Sequence, residues 1–415
     1  MITKTFHSRF LNLTQNKSPG QIFLEEIQRD FYKDRSLWLQ EFKTRKKWQI
    51  ERLKKNPFCI YSKEDLSKLS PEGLEFYKTK MKSQLDMKYT EPPTDYEDPA
   101  TYNIIMDLSR DIKSVTPKNI RDSSIQFGTL PAGPVQALHI IVPNSTEHLI
   151  IFESELFYFC NMISKIVATA CPISNITYKP TANGTKKKFV QYSFNLEAVK
   201  KNLQRNHVVL RRFRNIILGY LIYDSVAKAP AYIVPEEYFR LHLLFRTGME
   251  LFVLGHEYGH ILSGHLDKGE YIDKNIAGHK VTEIGYEQSM ELLADAVGTK
   301  LMMDAMYENY RIGICTSYAN AQLFLHALSI LEEAAEIIKN VRSIDDGIHP
   351  PLKLRRAALR AFMETYGEVF QPSLDYASKV ESVVEFLWNE IKSDLSIYYA
   401  AKADVGSPFS NWRYF

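Results

Sequence analysis

The feature that most constrains this chain is a five-residue run, His256-Glu257-Tyr258-Gly259-His260, at the end of the apolar stretch LHLLFRTGMELFVL. The pattern H-E-x-x-H puts two histidines four residues apart, one turn above each other on the same face of an α-helix. Two imidazoles so placed can share one tetrahedral Zn²⁺, and Glu257, about 100° round the helix, comes within reach of an attacking water. Leu251, Phe252, Val253 and Leu254 would bury this helix, so that its ligands point into a walled cleft. The alternative is a core helix with two incidental histidines. That reading asks nothing of the rest of the chain, whereas a metal site requires more donors.

Zinc hydrolases take a third protein ligand and leave the fourth position to water. In YEQSMELLADAVGTKLMMDAMY the apolar residues recur at helical spacing, with Glu291 and Asp295 four apart. Glu291 would reach the metal, while Asp295, one turn on, would accept the outer N–H of a ligating histidine and fix its tautomer. Ala294 and Gly298 are small, as two closely packed helices require. Glu287 is a rival ligand one turn earlier, but it would move Glu291 into the orienting place and leave Asp295 without a role. The plainer reading of Glu291 and Asp295 is a solvated acidic face, which the apolar character of the surrounding helix argues against. A third piece is Asp346-Gly347-Ile348-His349-Pro350-Pro351, where the prolines suit the first turn of a following helix. His349 would stand just before that helix and either stabilise an oxyanion in the cleft or cap a surface turn.

H-E-x-x-H, then E-x-x-A-D on a later helix, then H-P-x-x-x-x-R resembles the gluzincin metallopeptidases. The nearest likeness is to the family of the CAAX-prenyl endopeptidases, the bacterial heat-shock membrane proteases and their soluble relatives. The resemblance covers residues 130–360 and rests on those motifs alone. It implies His256 and His260 as zinc ligands, Glu257 as general base, Glu291 as third ligand and Asp295 as its orienting neighbour. It also implies that His349 and Arg355 line the far wall of the cleft. The chain departs from the family in having no membrane-spanning segments beside the motif. A weaker likeness, in overall build, is to soluble intracellular metallopeptidases of bacterial stress and phage-exclusion systems. Metzincins, by contrast, carry a glycine and a third histidine where this chain has Ser263 and Leu266. His265, nine residues after His256 and about 180° round a continuous helix, would face away from the metal. Gly264-His265 reads as the helix end, so His265 is not expected to be a ligand.

At 415 residues and 45% hydrophobic, the chain can bury a sizeable core, and its net charge of +3 does not mark the whole as a nucleic-acid binder. Cys59, Cys160, Cys171 and Cys315 are scattered, without a C-x-x-C pair, and read as buried or free thiols in a reducing compartment. No signal-peptide core opens the sequence. The best membrane candidate, LFYFCNMISKIVATACPI, is interrupted by Asn161, Ser164 and Lys165 and reads as a buried helix. The expectation is a cytoplasmic protein.

The expected fold class is α+β, predominantly helical, with a zincin-like core and a small β-sheet beside the H-E-x-x-H helix. Residues 1–95 would form a helical accessory region and residues 96–415 the peptidase domain with its C-terminal helices. A long helical pattern covers residues 18–55, with Arg45, Lys46, Lys47, Arg52, Lys54 and Lys55 around Trp48. This basic half is either a solvated face or a docking surface for nucleic acid, an acidic protein or a membrane face, and the N-terminal helical region is where a regulatory protein would bind. TEPPTDYEDPATY reads as a linker. VQALHIIV with HLIIFES, and ITYKP with KKFVQYSF, read as two hairpins, the first a candidate edge for an extended substrate. Residues 267–285, polar and without clear periodicity, would border the cleft as a flap, with His279 on its surface. His326, inside AQLFLHALSI, reads as a core histidine.

The chemistry expected is zinc-dependent hydrolysis of protein or peptide substrates. A zinc hydrolase of another substrate class, and a non-catalytic zinc-braced binding module, are the alternatives.

Overall fold

A computed structural model describes residues 17–33, 91–117, 125–130, 137–171, 176–180, 186–190, 195–223, 225–276, 279–339 and 350–397, and isolated positions between 39 and 74. The helices are α1 (Pro19–Lys33), α2 (Pro99–Val115), α3 (Leu156–Ala170), α4 (Leu196–Arg205), α5 (His207–Tyr223), α6 (Glu236–Leu262), α7 (Gln288–Tyr310), α8 (Ile314–Lys339), α9 (Leu352–Glu364) and α10 (Gln371–Lys392). The strands are β1 (Ile125–Leu130), β2 (Ala137–Ile141), β3 (His148–Glu153), β4 (Ile176–Pro180), β5 (Lys186–Val190), β6 (Glu270–Ile276) and β7 (His279–Gly285). The chain is thus mostly helical with a small mixed sheet, as the α+β reading requires. Residues 43–55, His349 and Cys59 lie outside the described residues or at their isolated positions.

The centre of the fold is α6. It opens after Pro235 with Glu236 and Glu237 at its positive end, and nearly every side chain from Leu241 to Ile261 is buried. A helix apolar all round has to be covered on all sides. α3, α7, α8 and α2 do this. Its contact with α7 is antiparallel and unusually close. A Cβ on Gly255 would stand 2.8 Å from the Gly298 carbonyl, and one on Gly259 2.7 Å from that of Ala294. The small residues on both helices let the two backbones touch, which brings Glu291 and Asp295 up to the histidine face. α3, the stretch with an interrupted apolar run, is buried against α6. No helix among the described residues is long and apolar enough to cross a membrane.

The five-stranded sheet runs β1-β3-β2-β7-β6, with β1 parallel to β3 and the other neighbours antiparallel. β2 and β3 form the first expected hairpin, and β4 and β5 the second as a separate two-stranded ribbon. Two expectations are corrected here. The β2–β3 hairpin does not offer an open edge, because both of its strands are paired on both sides; the edges are β1 and β6. Residues 270–285 are not an irregular flap but a hairpin that extends the sheet. Its alternation is weak because β6, at the rim, is solvated, while β7 turns in only Val281, Glu283 and Ile284.

Both faces of the sheet are covered. Phe127, Ile150 and Phe152 join the main helical core, while Leu130, Ile140, Leu149, Ile151 and Val281 pack with Leu24, Ile27 and Phe31 of α1. The closest approach is at Gly128, where a Cβ would meet the Leu24 side chain. Beside it lies Glu97, fully buried in the stretch read as a linker. Its carboxylate accepts from Thr129 N at 2.9 Å, Thr129 Oγ1 at 2.6 Å and the amide of Gln28 on α1. Burial pushes the Glu97 carboxyl up to about 7, against those hydrogen bonds. A carboxyl raised above its unfolded value contributes most below the unfolded pKa, and that contribution is lost as the pH rises towards the folded one. The parent should therefore lose more thermal stability between pH 5 and 8 than Glu97→Gln does, by up to about 3 kcal/mol. Paired thermal melts across that range check it.

Candidate metal centre

His256, His260 and Glu291 come together at the contact of α6 with α7, their donor atoms all within 4.8 Å of one another. The two Nε2 atoms face each other at 3.2 Å, and each stands 3.5 Å from an oxygen of Glu291. Zinc–ligand bonds of about 2.0–2.1 Å give a tetrahedron with edges of roughly 3.3 Å, so this donor triangle has the dimensions such an ion needs. Charge points the same way. Glu257, Glu291 and Asp295 are buried, at 6%, 2% and 1% exposure, and among the described residues Arg355 is the permanently charged cation beside them. Three carboxylates outweigh one guanidinium, and buried charges require compensation. A divalent cation with both imidazoles neutral supplies it.

Without a metal the compensation falls on His256. Burial opposes a charge there, but hydrogen bonds to Asp295 and Glu291 and the charges of both hold the imidazolium up to about 10. His260 goes the other way, pushed down to about 2 by burial and then by the charge on His256. A metal therefore takes the place of a proton.

The outer nitrogens of both ligands are engaged. Nδ1 of His256 donates to Asp295 Oδ1 at 2.9 Å, the role read for Asp295 from its spacing. Glu287 stands at the N-cap position of α7, without a side-chain capping bond, and is not in the cluster, which holds Glu291. Arg355, on α9, stands behind His256 and not across a cleft. Its Nε and Nη2 donate to Asp295 Oδ2 and Oδ1 at 2.7 and 2.6 Å, and its Nη1 is 3.9 Å from Glu291. Glu257 is buried on the same helix, close enough that its charge raises both Tyr286 and Arg355.

Three residues here escaped the sequence reading. α6 ends at Leu262 with Ser263 as its C-cap, and Gly264 takes a left-handed conformation, φ +65, that turns the chain back so that His265 N donates to the His260 carbonyl at 3.0 Å. His265 is therefore not on a continued helix facing away. It is buried, with its Nδ1 3.1 Å from Nδ1 of His260. It stands outside the donor triangle and engages the outer nitrogen of His260. Tyr286, between β7 and α7, stacks on the His260 ring at 3.7 Å, and its hydroxyl is 3.2 Å from Nδ1 of His139 on β2. Glycine at 264 was the available signal for His265; none in the local sequence pointed to Tyr286 or His139. His265→Ala should weaken metal binding about 10–100-fold, and His265→Gln, which can still accept the Nδ1 proton, should lose much less. Competition with a chromophoric chelator measures both.

Away from the site, His326 is buried with Nε2 3.1 Å from Glu385. The side chain of His279 lies outside the described residues. Cys160 and Cys171 are buried free thiols, and Cys315 is an exposed one. No protein-family model, curated protein or solved structure matches the chain. The functional reading therefore rests on the site itself.

Proposed function

We propose that this chain is a zinc-dependent endopeptidase of the gluzincin type. The observation that carries the reading is the buried carboxylate of Glu257 on the same helix as a preorganised His256–His260–Glu291 donor set. A purely structural zinc site has no use for such a base and closes its fourth position with a protein ligand; among the described residues the cluster has three. His256, His260 and Glu291 would hold the ion. Zinc, when bound, supplies a Lewis acid that acidifies water and polarises a carbonyl. Glu257 takes the proton from the attacking water and delivers it to the leaving amine. Asp295 and His265 keep the two imidazoles in the tautomers that turn a lone pair inward. His349 is proposed for the oxyanion on sequence grounds, as the residue before the α9 prolines; Arg355, occupied by Asp295, is not free for that work.

A peptide substrate is favoured by β6, which among the described residues is an edge of the sheet. Its first residue, Glu270, pairs with Gly285, next to the Tyr286 that stacks on His260. An extended peptide added to that edge would run towards the metal centre. In an antiparallel ladder closed by Ile276 and His279, Tyr271 turns its N–H outward, and it is 65% exposed. Tyr271→Pro should lower kcat/KM for peptides about two- to tenfold, one hydrogen bond's worth, and leave the metal in place. The proposal itself is tested on purified protein by metal analysis together with cleavage of casein and a peptide library, before and after chelation and zinc return. One zinc per chain and zinc-restored cleavage support it. Zinc without cleavage of any peptide argues for a hydrolase of another substrate class. No metal at all returns the histidines to the core.

A further inference from the structure

A hydrogen bond at the outer nitrogen holds a ligating imidazole at one atom, and the ring can still swing through the range of angles such a bond tolerates. A flat contact across the whole face of the ring removes that range. His260 has both. Its Nδ1 stands 3.1 Å from Nδ1 of His265, and the ring of Tyr286 lies over its own with centroids 3.7 Å apart and planes 18° from parallel. Tyr286 is 6% exposed and occupies the link between β7, which ends at Gly285, and α7, which begins at Gln288 and carries Glu291 one turn on. Its place is therefore set both by the sheet and by the helix that supplies the third donor. The turn after His265 closes on the same ring. Gly269 N donates to the His265 carbonyl at 2.9 Å, and a Cβ on Gly269 would stand 3.4 Å from Tyr286 Cδ1.

Tyr286 is held in turn by a histidine of the sheet. Its hydroxyl is 3.2 Å from Nδ1 of His139 on β2, a strand laid beside β7 by the pairing of Ile140 with Glu283. His139 is 3% exposed, and burial, with His148 beside it, pushes its imidazole down to about 3, so the ring is neutral. A neutral imidazole offers one N–H and one bare nitrogen. Nδ1 meets Tyr286, while Nε2 is buried with no partner among the described residues. An unmet buried polar atom destabilises a fold, and leucine at 139 with phenylalanine at 286 would fill the space without one. What the polar pair adds to packing is an anchor: the phenol is fixed at its tip by His139 and at its root by the β7–α7 link.

We propose, on the reading of His256, His260 and Glu291 as metal ligands, that Tyr286 is a positioning residue of the centre: its ring fixes the plane in which His260 presents Nε2 to the ion, and His139 fixes Tyr286. The two histidines then take their orientation from different parts of the fold. His256 is set by Asp295 on α7, with Arg355 of α9 behind that carboxylate. His260 is set by the turn after α6 and by β2 and β7. Tyr286 is not the oxyanion group of the proposed reaction, because its hydroxyl is directed at β2 and it meets the ligand with its face.

The test reads zinc and cobalt binding to the full chain without any substrate, so it is decided whether or not the protein cleaves peptides. Competition with a chromophoric chelator gives the zinc affinities, and the visible spectrum of the cobalt-loaded proteins reports the geometry of the donors. Tyr286→Leu should weaken zinc binding about 10–100-fold and shift the cobalt bands, whereas Tyr286→Phe, which keeps the flat ring, should stay within about threefold of the parent with its spectrum unchanged. His139→Leu strands the Tyr286 hydroxyl, and should weaken binding more in the parent than in the Tyr286→Phe background, where no hydroxyl is left to hold. A Tyr286 that served packing alone would lower the melting temperature of the metal-free protein and leave affinity and spectrum unchanged, so the same proteins are melted without metal. Parent-like affinity and spectrum in Tyr286→Leu overturn the proposal. So does a loss in Tyr286→Phe equal to that in Tyr286→Leu, which would make the hydroxyl the working group. Equal losses from His139→Leu in both backgrounds overturn the part given to His139. A parent that takes up neither ion overturns the proposal together with the reading of the ligands, whereas failure at Tyr286 alone leaves that reading standing.

Discussion

Glu257→Gln should lower peptide turnover by about 10²–10⁴-fold while binding as much metal as the parent. The expectation follows from where Glu257 sits. It occupies the turn of α6 between His256 and His260, is 6% exposed, and belongs to neither the donor triangle nor the hydrogen bonds that orient it. Gln matches its volume, so α6 and its contact with α7 have no reason to shift. What is lost is a group able to take a proton from water and return it to the leaving nitrogen. The substitution also removes one of the buried negative charges that a bound metal would balance, so metal affinity should fall slightly if it changes at all. Metal analysis, chelator competition and steady-state cleavage on the two proteins measure these effects together. Equal turnover by parent and variant would eliminate Glu257 as the base. Loss of metal from the variant would make it part of the donor set instead.

The centre was legible from the sequence to the extent that it is helical. His256 and His260 follow from one turn of α6, and Glu291 and Asp295 from one turn of α7, because a helix converts spacing into shared direction whatever surrounds it. Even the close contact of the two helices was partly visible in Ala294 and Gly298, with Gly255 and Gly259 opposite them. Legibility ended where backbone changes direction. A single left-handed residue, Gly264, carries His265 from the far side of an extrapolated helix to the back of His260. Tyr286 and His139 reach the site from the sheet, and no local period links them to α6. Arg355 follows the same logic: its motif put it near the cleft, but only the packing of α9 shows that it is spent on Asp295. In the fold, β2–β3 was readable from alternating apolar residues, whereas β6–β7 was hidden by its solvated rim. The stretch containing Glu97 had the composition of a linker, yet the fully buried Glu97 carboxylate ties α1 to the sheet. Local composition does not register such a contact, because the partner lies 69 residues away at Gln28.

The largest structural effect is expected from Asp295→Asn. Asp295 is 1% exposed and satisfies two cationic groups at once, the Arg355 guanidinium through both oxygens and the His256 ring through one. Burial works against its ionisation, but Arg355 and then His256 hold its carboxyl below the usual range. The stability it contributes is therefore present above the ordinary carboxylate pKa and is lost only as the pH falls through the lowered folded value. Asn has nearly the same shape but one acceptor oxygen, and its amide nitrogen would face a donor. Arg355, 14% exposed, would keep its charge with Glu291 as the nearest remaining carboxylate, at 3.9 Å. Breaking a buried pair from one side costs about 3–5 kcal/mol. Metal affinity should fall about 10–100-fold as well, since His256 loses the partner that fixes its ring. The two effects separate in the double variant Asp295→Asn/Arg355→Gln. With no uncompensated guanidinium left in the interior, its unfolding free energy should recover a large part of the loss, while metal affinity stays low. If the double variant is no more stable than Asp295→Asn alone, the penalty does not come from a stranded Arg355 charge. If metal affinity recovers along with stability, Asp295 acts on the ion only through the fold.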